Sequence, residues 1–372
     1  GSQVPSSTGP NYGVNRNGAT SGYITFYTGG LTSGTYYYHC ANHSSMGGTV
    51  VVHPVGTYGY AGYGQDDIIL AKYNSSGDLQ WQRTFGGAQY ERQEKGLKVD
   101  SSGNVYVHTY GWFNAAGTYV SNYSMGFAKF DSSGNLQLQR AVGYSNWEFY
   151  GTGLDVDSSG NIYVCGWNTG TLSSSYGYYT RRCGVISKWN SSGTWQWTYT
   201  VSYSYNVQGE QELYVYNILT DDSGNIYASG TMSPVGGWAG NSTSQLFLLK
   251  INSSGNKVWA KRIHTPGTMT GQYSDLALDS EGNLMVSAEG YSVNTGNRSA
   301  MIFKINPSNG NKIWSRIIDN RFTSSDVTVS DDRTRGIAID ADDNFYINGS
   351  ANDSGAGLGM VAKLPGDGSL YD

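Results

Sequence analysis

The sequence is poor in charge: 23 Lys and Arg with 28 Asp and Glu make up 14% of 372 residues, where about a quarter is usual for a soluble domain. With a formal net charge of -5 and no basic run, it lacks the electrostatic footprint of a protein that binds nucleic acid or an anionic membrane. No stretch approaches the roughly eighteen apolar residues of a spanning helix, so membrane insertion is not expected. Gly1-Ser2-Gln3 has neither an initiator Met nor a signal peptide's apolar core, which points to a processed or excised chain. Three cysteines are too few for a disulfide scaffold, and seven prolines argue against a proline-rich disordered tract. What is abundant is Gly (52), Tyr (31) and Trp (10). Aromatic residues prefer strands and bury large areas, so an all-β fold with a sizeable core is indicated, and a helical bundle is excluded.

One phrase recurs along the chain. Lys72-Tyr73-Asn74-Ser75-Ser76-Gly77 leads to Trp81, Lys188-Trp189-Asn190-Ser191-Ser192-Gly193 to Trp197, and Lys250-Ile251-Asn252-Ser253-Ser254-Gly255 to Trp259. Variants begin at Lys129, Lys304 and Lys363, so successive lysines lie 57, 59, 62, 54 and 59 residues apart. A second phrase interleaves: Asp100-Ser101-Ser102-Gly103-Asn104-Val105-Tyr106, then Asp157 to Tyr163, Asp222 to Tyr227, Asp279 to Leu284 and Asp340 to Tyr346. An Asp or Asn followed two or three residues later by Gly is hairpin chemistry, a side-chain acceptor first and positive φ at the end. The same loops lack the bidentate Glu and alternating oxygen donors of a calcium site. Two hairpins per repeat make four strands, and radial repetition of four-stranded sheets is a β-propeller. The first Lys-type hairpin has no evident partner hairpin, so six blades are favoured and five remain open. The organisation expected is a β segment over residues 1–55 and a propeller over 56–372.

The N-terminal segment reads as strand, tight loop, strand from Gly34 to Val52, with Cys40, His43 and Met46 on the loop. Thiolate, imidazole and thioether are the donor types of copper electron-transfer sites. The spacing resembles the shortest cupredoxin ligand loops, although the only upstream histidine, His39, neighbours Cys40 on a strand, and the segment is about half a cupredoxin. No cofactor is expected, copper at this loop being the one candidate.

The repeat resembles a bacterial and phage β-propeller unit that reads D-S-S-G-N-x-Y-V-x-G followed by K-x-D-S-S-G-N-x-x-W. Tyr36-Tyr37-Tyr38-His39-Cys40-Ala41-Asn42-His43-Ser44-Ser45-Met46-Gly47-Gly48 resembles a segment of virion structural proteins from tailed phages of marine cyanobacteria. These resemblances imply an exposed appendage, fibre or decoration element located on the virion, with other virion subunits or a host-surface glycan as partners and a homo-oligomeric state. The alternatives are a secreted carbohydrate-binding propeller and, third, a copper electron-transfer protein.

Connections between strands are rich in Gly, Ser and Tyr, and connections carry specificity. Tyr119, Tyr123, Trp147, Tyr176, Tyr178, Tyr179 and Trp238 fall in or near them and are the candidate ligand-binding residues, flat rings with polar tips that stack on sugars or on protein. Tyr144, Tyr150, Tyr203 and Tyr205 share that placement. The acidic residues outside the turns, Glu91, Glu94, Glu148, Glu210, Glu212 and Glu289, are scattered and no nucleophile motif occurs. The expectation is therefore that the protein is not an enzyme, although a propeller mouth can pair carboxylates from distant stretches.

Overall fold

The computed structural model describes residues 2–3, 13–15, 25–27, 34–39, 47–52, 68–85, 91–92, 96–113, 119–142, 147–174, 177–201, 211–234, 244–263, 267–292, 298–318, 333–353 and 356–369. Among these residues there are strands and turns but no helix. The chain divides into two compact units, Gly1–Gln89 and Tyr90–Asp372.

The first unit contains β1 (Ser2–Gln3), β2 (Gly13–Asn15), β3 (Thr25–Tyr27), β4 (Gly34–His39), β5 (Gly47–Val52), β6 (Ile68–Tyr73) and β7 (Leu79–Phe85). Strands β1, β4 and β5 form one sheet, β2 pairs with β3, and β6 pairs with β7. The hairpin predicted between Gly34 and Val52 is present, with Gly34 opposite Val52 and His39 opposite Gly47. Its connection carries Cys40, His43 and Met46, which lie outside the described residues.

The second unit is a run of sheets. The first contains β8 (Glu91–Arg92), β9 (Leu97–Val99), β10 (Val105–Phe113), β11 (Tyr119–Phe130) and β12 (Leu136–Val142). The second is β13 (Trp147–Val156), β14 (Ile162–Ser174), β15 (Gly177–Trp189) and β16 (Trp195–Val201). The third is β17 (Gln211–Thr220), β18 (Ile226–Pro234), β19 (Gln245–Ile251) and β20 (Lys257–Ile263). The fourth is β21 (Gly267–Leu278), β22 (Leu284–Ser292), β23 (Arg298–Ile305) and β24 (Lys312–Ile318). The fifth is β25 (Arg333–Ile339), β26 (Phe345–Asp353) and β27 (Ala356–Leu364). The leading strand of each sheet packs on that of the next, β13 on β17, β17 on β21 and β21 on β25. That arrangement is the β-propeller the repeats predicted, each sheet being one blade.

Apolar clusters sit in the seams between blades. Tyr106, Met125 and Phe127 meet Phe149, Leu154 and Ile162; Leu246, Leu248 and Trp259 meet Leu284, Val286 and Phe303. A strand buried on both faces needs apolar residues at consecutive positions, which is why Phe247-Leu248-Leu249 reads as a run instead of an alternation. Polar seams reinforce these. Asp155 Oδ2 accepts from the Thr220 N–H at 2.6 Å and its hydroxyl at 2.9 Å, while Asp155 Oδ1 lies 3.0 Å from Lys98 Nζ. One carboxylate thus ties three successive blades. Asn217 donates to Asp275, whose other oxygen accepts from the Ile337 N–H at 3.0 Å, tying the next three.

Both repeated phrases now have a structural role. In the first turn of each blade the Asp caps the turn: Asp100 Oδ1 accepts from the Ser102 and Asn104 N–H groups, and Oδ2 from Asn104 Nδ2 and the Tyr106 hydroxyl. Asp157 and Asp340 repeat the set with Tyr163 and Tyr346. In the third blade the capping residue is Asp221, one position before the Asp222 at which the phrase was read, and it accepts from Tyr227. The phrase-leading lysine lies over that tyrosine, Lys188 5.2 Å from the Tyr163 centroid and Lys250 4.8 Å from Tyr227. Lysine and tryptophan then clasp the next blade's outer turn. Lys188 Nζ and Trp197 Nε1 both donate to the Ser253 carbonyl, and Lys250 and Trp259 both donate to that of Pro307.

Cys165 and Cys183 sit on the paired strands β14 and β15, but Cys165 faces Ile186 and Cys183 faces Asn168. They are three residues out of step, so the ladder does not set them up as a cross-strand disulfide.

Candidate functional site

The two ends of each blade differ. At one end lie only the tight Asp/Asn turns, such as 100–104, 131–135, 157–161 and 190–194, each closed by a hydrogen bond back to its first residue. By chain direction the opposite end carries the connections from β10 to β11, β12 to β13, β14 to β15 and their equivalents, which differ from one another in length and sequence. Specificity can vary at that end without disturbing the turns.

Side chains from three blades converge there. Register sets two rows across the second blade: Glu148 opposite Thr169 opposite Arg182, and Tyr150 opposite Trp167 opposite Gly184. Residues two apart share a face, so both rows lie on one side of the sheet. The Tyr150 and Trp167 rings stack at 4.1 Å with 11° between planes, and Tyr123 of the first blade lies 5.1 Å from Tyr150. Tyr110 and Tyr214 flank this stack, Tyr110 6.1 Å from Tyr150 and Tyr214 5.3 Å from Trp167. Tyr123, Tyr150, Trp167, Glu148, Thr169 and Arg182 are half-buried, while Tyr110, Tyr214 and Glu212 are buried. The first group forms the accessible part and the second supports it. Gly184 completes the fit: a Cβ there would lie 2.6 Å from Val215 Cγ2 on β17.

Polar groups fix the rings. Glu148 Oε2 accepts from the Tyr150 hydroxyl at 2.9 Å and the Thr169 hydroxyl at 3.3 Å. Arg182 Nη1 donates to Glu212 Oε2 at 3.0 Å and to the Tyr214 hydroxyl at 3.1 Å, and that hydroxyl donates to Glu212 at 2.8 Å. Burial pushes the Tyr150 phenol up, and its bond to Glu148 pushes it further; Tyr214 is raised by burial and then by Glu212. Both therefore stay protonated donors. Burial works against the Arg182 charge, but Tyr214 and Glu212 outweigh it and its pKa is raised.

Of the seven ligand-binding residues proposed from sequence, Tyr123 is in the stack. Tyr119, Trp147, Tyr178 and Tyr179 lie on β11, β13 and β15 toward the same end. Tyr176 and Trp238 lie outside the described residues. Sequence reasoning passed over Trp167 and Arg182, which lie inside strands beyond the connection read at Asn168 to Arg181, and over Thr169, which lies within that stretch but is not aromatic. The usable signal is position: Trp167 is the sixth residue after the turn Asn161, as Tyr110 is after Asn104. Among the described residues no group of three or more His, Cys, Asp or Glu gathers as a metal site.

No protein family and no curated protein matches the sequence. Solved structures do match in fold. An endo-arabinase from Bacteroides thetaiotaomicron aligns over 76% of this chain and 96% of its own, at 10% identity and a TM-score of 0.38. An α-L-arabinanase from Penicillium chrysogenum, complexed with arabinobiose, aligns over 74% and 80% at 10% identity and a TM-score of 0.41. A GH32 β-fructofuranosidase from Bombyx mori aligns over 74% of this chain and 60% of its own, at 11% identity and a TM-score of 0.33. The expectation that the protein is not an enzyme is corrected: the solved structures matched are named as enzymes, so the fold gives no ground for that expectation. The missing nucleophile motif is no ground against catalysis, because here carboxylates from separate leading strands, Glu148 on β13 and Glu212 on β17, reach one cluster through Thr169 and Arg182. What the chain shares with these structures is the β-propeller.

Proposed function

We propose that this chain is a carbohydrate-binding β-propeller that takes its ligand at the end bearing the variable connections. The observation that carries this reading is the half-exposed stack of Tyr123, Tyr150 and Trp167 beside Glu148, Thr169 and Arg182. A sugar presents C–H faces and hydroxyl edges. Flat rings cover the faces, and the Glu148 carboxylate and the Thr169 hydroxyl exchange hydrogen bonds with the edges. Such a mixture of aromatic surface with few convergent polar groups is the usual make-up of a small-molecule site.

A glycan microarray with the intact chain tests the reading. Binding to a defined set of glycans, abolished by Trp167→Ala with the melting transition still cooperative, is expected; an array with no signal overturns it. Assaying the same mixtures for new reducing ends separates turnover from binding. The resemblance of Tyr36–Gly48 to phage virion proteins adds a setting, in which the glycan belongs to a host surface and the protein to an exposed virion element. Competition between the isolated protein and phage for susceptible cells tests that setting.

A further inference from the structure

The carbohydrate reading leaves open which glycans the cluster accepts, and its charges bear on this. Arg182 carries the positive charge among the described side chains there, and it is already committed: Glu212 lies 3.0 Å away with its side chain only 5% exposed, and the Tyr214 hydroxyl bonds to both. An acidic sugar that drew Arg182 away would strand the buried Glu212 carboxylate without its counter-charge, which is strongly unfavourable. Glu148 is placed differently. Both of its hydrogen bonds, from Tyr150 and Thr169, fall on Oε2, and among the described residues none falls on Oε1. It is half-buried at the edge of the ring stack. Among the described side chains of the cluster, Glu148 and Glu212 together outweigh Arg182, an excess of negative charge.

We infer that the site selects uncharged glycans, with Glu148 Oε1 accepting a hydrogen bond from a sugar hydroxyl while the Tyr150–Trp167 stack meets the sugar's apolar face. This rests on the proposed carbohydrate function. A uronic acid or a sulfated sugar would bring its anion against Glu148 with no uncommitted cation among the described side chains to receive it, whereas a neutral sugar hydroxyl donates to that same carboxylate in a charge-assisted bond.

The test is titration calorimetry of the intact chain with neutral pentose and hexose oligosaccharides, and with uronic-acid and sulfated oligosaccharides of equal length. Expected are binding of a neutral series, little change in affinity on adding salt, and a loss of about tenfold or more in Glu148→Gln, the range for removing a hydrogen bond to a charged group. Glu148→Asp keeps the charge and shortens the reach, so it separates charge from geometry; both variants are compared at unchanged melting temperature. Tighter binding of the acidic series, lost in Trp167→Ala, would overturn the inference and leave the carbohydrate reading standing. Neutral binding that is indifferent to Glu148→Gln would also overturn it. No binding of either series would overturn both.

Discussion

Trp167, Tyr110, Thr231, Glu289 and Ser350 are equivalent residues, each sixth after the Asn that closes the first turn of its blade. The first two belong to the aromatic cluster and the others do not, so side-chain choice at this repeat position brings in the first two blades, while the third contributes through Tyr214 and Glu212. Tyr150 depends on its hydroxyl as well as its ring. Tyr150→Phe retains the stack on Trp167 but leaves Glu148 Oε2 with only the Thr169 hydroxyl. Loss of about 1 kcal/mol in stability is expected by denaturant titration, with weaker glycan binding because the carboxylate is no longer held. At this scale the sequence was least legible. Aromatics in connections were identifiable as candidates, and Tyr123 is in the site, but Trp167 and Arg182 are strand residues whose neighbours across the seam lie 47 and 30 positions away in sequence.

The hairpin is where sequence and structure correspond most closely. Each turn combines a side-chain cap with a terminal Gly at φ between 70° and 85°, apart from the fifth blade, where Asp343 takes φ 62°. Asp343 holds the left-handed conformation while its carboxylate accepts from the Ser280 N–H at 2.8 Å, so the strained position also links two blades. Gly282 has φ +78° and open space around the missing Cβ, so Gly282→Ala isolates the backbone cost, about 1–2 kcal/mol by thermal unfolding. The residue at the cap varies with its partners. In four first turns the second oxygen of the Asp accepts from Tyr106, Tyr163, Tyr227 or Tyr346 and in the fourth blade that of Asp279 meets Lys304 at 2.8 Å; Asn caps the outer turns at Asn74, Asn190 and Asn252, where no such tyrosine stands, while Asp131 accepts from Gln137 instead. At Asp340 desolvation pulls the carboxyl up, but hydrogen bonds from Asn344, Tyr346 and Asp342 outweigh it and lower the pKa from 3.8 to about 2. Against the same pull of desolvation, Asp100 is lowered in the same way, and Asp279 is lowered chiefly by Lys304 and then Asn283. A carboxylate depressed by folding stabilises the fold above its unfolded pKa, and that contribution is lost as pH falls through the folded one. The melting temperature should therefore fall between about pH 4 and 2, less steeply in Asp340→Asn; an unchanged slope in that variant would remove this turn from the account.

At the scale of the whole molecule, the second unit is held by seams between blades, and each seam repeats. The Lys and Trp of the repeated phrase, noticed in the sequence only as markers of period, are the groups that reach the next blade's turn. Period and strand pattern made the propeller legible, whereas the contact between blades depends on a radial placement that no single repeat encodes. Asp155 is the most concentrated of these links, buried and shared by Lys98 and Thr220. Asp155→Ala is expected to cost about 2–3 kcal/mol and to broaden the unfolding transition as neighbouring blades uncouple; a sharp transition with unchanged stability would show that the apolar seams suffice. The same radial order puts the tight Asp/Asn turns at one end and the aromatic cluster at the other. The most direct measurement of the central claim is hydrogen exchange of the intact chain with and without a saturating neutral oligosaccharide. Protection at 123–126, 148–150, 167–169 and 182–184, with none at the turns 100–104 and 157–161, is the predicted footprint. Protection at the turns, with none at the Tyr123–Tyr150–Trp167 stack, would contradict it.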